Sequence, residues 1–139
     1  MRRGAPLFLL LAHAACSRPH AEYAAGVTVK PWLRTTVTAG GAPIAYPTGA
    51  GEVTLAEVIL APGAETGWHH HPIPVYAFVL EGTLEVVQEG GRAATFTAGQ
   101  ALAEVVGLRH NGTNRGSTRV RLLVAYCGVA GTPATVKAP

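Results

Sequence analysis

From about residue 35 onward, glycine, proline, asparagine and threonine interrupt the chain at short intervals, and no segment between them keeps a helical period for three turns. This punctuation constrains the fold more than any other feature. Short runs of β-branched and aromatic residues closed by turn formers make strands, and the pattern predicts them at 52–60, 67–71, 75–81, 83–88, 92–97, 101–106 and 119–127. Glu81-Gly82-Thr83 and Glu89-Gly90-Gly91 read as hairpin turns. Turns at this regular spacing point to an all-β sandwich or barrel. A length of 139 residues fits one domain, and no internal repeat or low-complexity stretch divides it.

Charge excludes some partners. The net charge of +3 is small, and two of its positive residues, Arg2 and Arg3, lie in a segment expected to be removed. No basic stripe with interleaved aromatics runs along the chain, so nucleic acid is not an expected ligand. The chain has no aspartate, so any carboxylate that binds or reacts is one of eight glutamates.

Residues 1–16 read as an export signal. Arg2-Arg3 is a basic start, Leu7-Phe8-Leu9-Leu10-Leu11 a short apolar run, and Ala12-His13-Ala14 a small-residue cleavage pattern. The run is too short to span a bilayer. Alternatively Cys16 becomes a lipidated N-terminus after Ala14-Ala15, although His13 stands where a lipobox prefers leucine. A short N-terminal core helix is a third reading. The mature chain is expected to be exported: periplasmic, secreted or anchored by lipid on Cys16. Residues 17–34 read as a lead-in or tether, 35–127 as the barrel and 128–139 as an extended C-terminal arm. Cys127 would then stand alone, which argues against a disulfide framework, and its apolar neighbours suggest a buried, inert thiol.

Four of the six histidines fall at 69, 70, 71 and 110. Side chains alternate faces along a strand, so His69 and His71 share a side and His70 points away. Two imidazoles about 7 Å apart along a strand can converge on one ion. His110 is the candidate for a third from a neighbouring strand. Such a set suits a divalent transition metal: Fe, Mn, Zn, Ni or Cu. Consecutive histidines on an exposed hairpin would look the same in isolation.

The surrounding spacing resembles the cupin superfamily. Its first motif, G-x5-H-x-H-x3-E-x6-G, is matched by Gly63, His69, His71, Val75 and Gly82; its second, G-x5-P-x-G-x2-H-x3-N, by Gly99, Val105, Gly107, His110 and Asn114. The resemblance implies a single small cupin-type β-barrel (a double-stranded β-helix, or jelly roll) with one metal on His69, His71 and His110. It implies that Asn114 holds a loop through backbone hydrogen bonds, and it makes a homodimer an expectation. Two positions depart from the pattern. Val105 replaces a turn proline, and Val75 stands where the family has a glutamate ligand.

Val75 cannot coordinate, which leaves two options. One is a bare three-histidine site. The other is a carboxylate from elsewhere, for which Glu104 is the leading candidate, because a glutamate amid Ala101, Leu102, Ala103, Val105 and Val106 is costly to bury unpaired. An outward-facing Glu104 is equally compatible with the sequence. Glu65, before the histidines, is expected to be solvated. Arg109 should face away from His110, and binding a substrate anion is its alternative role. Ala77 and Val79 share the face of Val75, whereas Tyr76, Phe78 and Trp68 should point outward.

Three functions fit these residues. By resemblance, three histidines on a metal suit a dioxygenase acting on a small chelating anionic substrate. A non-catalytic metal or small-ligand binding module fits equally, since fold does not fix function. A metal-dependent isomerase or lyase with Glu104 as the catalytic base is a third possibility.

Overall fold

The computed structural model describes residues 23–138. The expected export signal and Cys16 lie outside these residues. The chain divides into Met1–Lys30 and Pro31–Pro139. The described part of the first unit, residues 23–30, is exposed and turns once, with the Val27 N–H donating to the Ala24 carbonyl at 3.2 Å.

The second unit is all-β. Its strands are β1 (Gly51–Leu60), β2 (His69–His70), β3 (Val75–Glu81), β4 (Thr83–Gln88), β5 (Ala93–Thr97), β6 (Ala101–Ala103), β7 (His110–Thr113), β8 (Val120–Val129) and β9 (Val136–Lys137). They form two antiparallel sheets, ordered β1-β8-β3-β6 and β5-β4-β7-β2-β9. The chain passes repeatedly from one sheet to the other, as in a jelly roll. No described helix is long and apolar enough to cross a membrane.

Strand alternation fills the space between the sheets. Val75, Ala77 and Val79 of β3, Leu122 and Val124 of β8, and Leu84 and Val86 of β4 are buried in one core cluster. Each such valine or leucine contributes about 1.5–3 kcal/mol relative to exposure. Tyr76 and Phe78 face outward as expected. There Trp32 sets its ring edge against Phe78 with centroids 4.9 Å apart, Tyr46 Oη meets Tyr76 Oη at 2.7 Å, and the Ala39 N–H donates to Ala103. Val53, Leu55, Ile59 and Leu123 are exposed on this outer face beside the Arg121–Glu57 pair.

The observed strands differ from expectation in five places. Glu81-Gly82-Thr83 is not a hairpin, because β3 and β4 lie in different sheets and the chain turns a corner there. Gly82 is required at that corner: its φ is +80°, and a Cβ would stand 2.6 Å from the Arg119 carbonyl oxygen. The strand expected over 67–71 shrinks to His69–His70, since Pro72 and Pro74 donate no hydrogen bond and Gly67 turns at φ +76°. The strand expected over 101–106 stops at Ala103, after which the chain changes sheets and Val106 bridges to His71. His110 lies on β7, a strand beside β2 as expected although no range was predicted for it, whereas β9 was not expected as a strand. β8 runs on to Val129, and Cys127 on it is half-buried rather than buried.

Candidate metal centre

β2, β7 and the crossing after β6 bring four side chains together. His69 stands directly opposite His110 in the β2–β7 ladder, so both point to the inner face of the five-stranded sheet. His71, two residues after His69, returns to the same side. Its placement is fixed by the bridge to Val106 and by the Gly107 N–H donating to its carbonyl at 2.8 Å. Glu104 enters from the opposite sheet. One potential donor atom from each of His69, His71, Glu104 and His110 lies within 4.8 Å of all the others. His69, His71 and His110 are buried and the Glu104 side chain is 14% exposed. Of the two orientations open for Glu104, the structure has the inward one.

The hydrogen bonds fix the tautomers. His69 Nδ1 faces the Gly67 carbonyl at 2.7 Å, His71 Nδ1 the Ala134 carbonyl at 2.7 Å, and His110 Nδ1 the Leu108 carbonyl at 3.0 Å. A carbonyl only accepts, so each Nδ1 carries the proton and each neutral ring turns a bare Nε2 lone pair inward. The Glu104 carboxylate also only accepts, yet its Oε2 lies 3.0 Å from His110 Nε2 and 3.4 Å from His71 Nε2. Acceptors facing acceptors at these distances need a cation among them, either protons or a metal ion. Two donors about 2.1 Å from one ion stand about 3.0 Å apart at a right angle and about 3.4 Å at the tetrahedral angle. The donor set therefore fits a transition metal, with outer-shell carbonyls orienting every ring.

Electrostatics follow this geometry. When protons rather than a metal lie between the groups, burial works against a charged Glu104, but hydrogen bonds and charge from His110 and His71 outweigh it and hold the carboxyl down at about 2. Burial also opposes charge on His110, yet its partners Glu104 and Leu108 push the ring above its ordinary value. Burial dominates at His69 and holds it below the usual range, with His110 and His71 adding to the effect.

A cavity of about 200 Å³ adjoins the cluster. Val58, Leu84, Val86, Leu122 and Val124 form its apolar wall, and Thr66, Tyr126, Thr135 and Lys137 add polar groups. Burial and the Glu104 charge raise the Tyr126 hydroxyl above its usual range, so it keeps its proton. No sequence pattern places Thr135 and Lys137 here. The end of the arm over 128–139 forms β9, pairs with β2, and orients His71 through Ala134.

Other candidates lie elsewhere. Arg109 pairs with Glu89 on the exposed side, away from the cluster. Glu65 is exposed and accepts from the Asn111 side-chain amide at 2.9 Å. Trp68 is exposed, and His70 lies outside the cluster. Asn114 is buried, and its amide donates toward the carbonyls of Leu60, Ala61 and Thr118 at 3.0, 3.0 and 2.8 Å, clamping the loops around it.

A two-sheet antiparallel barrel with three imidazoles and one carboxylate on its inner surface defines a class of small β-barrel that can bind a metal ion. The Cupin_2 family model, described as a cupin domain, matches residues 56–126, and the chain belongs to this family. It is 40% identical over 85 residues to the Beta-alanine degradation protein BauB of Pseudomonas aeruginosa, a match spanning 58% of this chain and 90% of that protein. Among solved structures it resembles an oxalate oxidase at 27% identity and a TM-score of 0.54, covering 63% of this chain. The match spans 46% of that enzyme's chain, so this barrel corresponds to about half of it. A Cupin 2 conserved barrel domain protein from Salinispora arenicola shares the fold at 23% identity, with a TM-score of 0.51 and coverage of 63% and 71% of the two chains.

Proposed function

We propose that this cupin holds one divalent transition-metal ion on the Nε2 atoms of His69, His71 and His110 and a carboxylate oxygen of Glu104. The carrying observation is the convergence of one donor atom from each of His69, His71, His110 and Glu104 within 4.8 Å, where neutral rings and an ionised carboxylate need a cation among them. Glu104 then acts as a ligand rather than a free base, which counts against the isomerase or lyase reading.

We further propose that the site takes a small chelating anion and, with a redox-active metal, oxidises it with O2. Three neutral imidazoles and one carboxylate leave a dication with net positive charge, which favours an anionic oxygen ligand. The cavity admits only a small molecule, and its apolar wall keeps bulk water from the rest of the interior. Tyr126 retains its proton and can donate a hydrogen bond to a bound oxygen. When bound, the metal supplies a Lewis acid and an electron-transfer centre. The relatives support small carboxylates as the substrate class, since one is named for degradation of β-alanine and another for oxidation of oxalate.

Metal analysis of the purified protein should find one equivalent, reduced strongly in His71→Ala and Glu104→Ala. Absence of stoichiometric metal from the parent overturns the proposal. Oxygen uptake with one member of a panel of small carboxylates, β-dicarbonyls, thiols and catechols supports the oxidase reading. Anion binding without oxygen uptake identifies a non-catalytic binding module instead.

A further inference from the structure

β9 carries a cation to the mouth of the metal cavity. Lys137 stands directly opposite His69 in the β2–β9 ladder, and His110 stands opposite His69 on its other side. Directly opposite residues of antiparallel strands share a face, so Lys137, His69 and His110 form one row across the inner surface of the sheet. Lys137 accordingly lines the cavity beside Thr135 and Tyr126. Arg109, Arg115, Arg119 and Arg121 pair with Glu89, Glu85, Glu81 and Glu57, whereas among the described residues Lys137 has no carboxylate partner.

We propose that Lys137 is a specificity-determining residue that pairs with a carboxylate of a small ligand whose other oxygen atoms face the histidine–glutamate cluster. Size and charge define the ligand class. A cavity of about 200 Å³, at about 30 Å³ for each water-sized group, holds roughly seven non-hydrogen atoms. A dication on three neutral imidazoles and one carboxylate has a net charge of +1, and Lys137 raises the local charge to +2. A short dicarboxylate matches both size and charge. The lysine end is accessible to solvent, so its pairing selects and orients the ligand while the buried cluster supplies most of the affinity. This inference rests on the metal reading of the cluster.

The test uses the cobalt(II)-loaded protein, with metal stoichiometry and affinity measured separately from binding of malonate and its neutral analogue malonamide by calorimetry. In Lys137→Gln, malonate affinity should fall about tenfold while malonamide binding does not change. Lys137→Arg should retain malonate to within about threefold. Metal affinity in Lys137→Gln should stay level or rise slightly, because a cation leaves the mouth of a dication site. A lysine that only guards the sheet edge or braces β9 gives a different result: equal malonate affinity, or a loss of metal affinity as His71 loses its Ala134 support. Either outcome overturns the inference and leaves the metal reading standing, as does a metal-loaded parent that binds no malonate. A parent that takes up no metal overturns both.

Discussion

The backbone N–H of Glu104 donates to the carbonyl of Val75 at 2.8 Å. This contact extends the β3–β6 register, in which Tyr76 pairs with Ala103, by one residue. Side chains 75 and 104 therefore leave the same face as cross-strand neighbours, with Cβ atoms about 5 Å apart. The cupin pattern has its glutamate at position 75. Here a carboxylate on the adjacent strand reaches the same interior space, and valine at 75 packs into the core.

Exchange of the two residues should preserve the site. Glu104→Val is expected to weaken metal binding by about 100-fold or more, beyond the effect typical of outer-shell partners. Adding Val75→Glu to that variant should recover most of the loss. Metal titration of the parent, the single variant and the exchanged pair checks this; a pair no better than Glu104→Val refutes the positional equivalence.

The metal-free protein should have a stability window set by the same carboxylate. Glu104 is held at about 2 against an ordinary 4.5, so its contribution is complete above about pH 4.5 and disappears as pH falls toward 2. His110 is raised above its ordinary 6.5, so its contribution is complete below 6.5 and disappears as pH rises through its folded value. Thermal melts of the parent minus those of Glu104→Gln should therefore show the largest difference between about pH 4.5 and 6.5. Metal reverses the upper limb. It competes with protons for Nε2, so the stabilisation gained on adding metal should grow as pH rises through the imidazole range. A flat difference curve, or a metal effect that weakens over that range, would count against this coupling.

Much of this architecture was legible in the sequence, for specific physical reasons. Strand alternation assigned His69 and His71 to one face and His70 to the other because period-2 geometry is local. The inward wall of Val75, Ala77 and Val79 followed from the same rule. The direction of Glu104 did not, because it depends on the chain changing sheets after Ala103. Gly82 had the composition of a hairpin turn, yet only the pairing of distant strands determines whether such a turn joins neighbours or rounds a corner. β9 is two residues long and exists through its partner β2, so no local signal could have separated it from a frayed tail.

Removal of residues 133–139 should expose the dependence of the site on that tail. The truncation deletes β9 and the Ala134 carbonyl that orients His71. Loss of an outer-shell acceptor typically costs about 10–100-fold in metal affinity. The truncated protein should fold in metal-free form with a lowered melting temperature and bind metal within that reduced range. Calorimetric titration and thermal melts measure both effects, and unchanged metal affinity would show that His71 needs no support from Ala134.

Asn114 should control stability rather than metal affinity. Its amide serves the carbonyls of Leu60, Ala61 and Thr118, and its Oδ1 accepts from the Gly116 N–H at 2.9 Å. Asn114→Ala leaves these groups unpartnered at a buried position, where each unsatisfied group costs about 1–3 kcal/mol; partial relaxation should bring the total to about 3 kcal/mol. Asn114→Asp keeps the acceptor for Gly116 but loses both donors and turns a carboxylate toward three carbonyl oxygens. It should therefore be less stable than the alanine variant at neutral pH, and should recover as acid protonates the new carboxyl. Denaturant unfolding of the three proteins at pH 7 and pH 5 gives the ranking. An aspartate variant as stable as the parent would mean that the amide donors do not hold these loops.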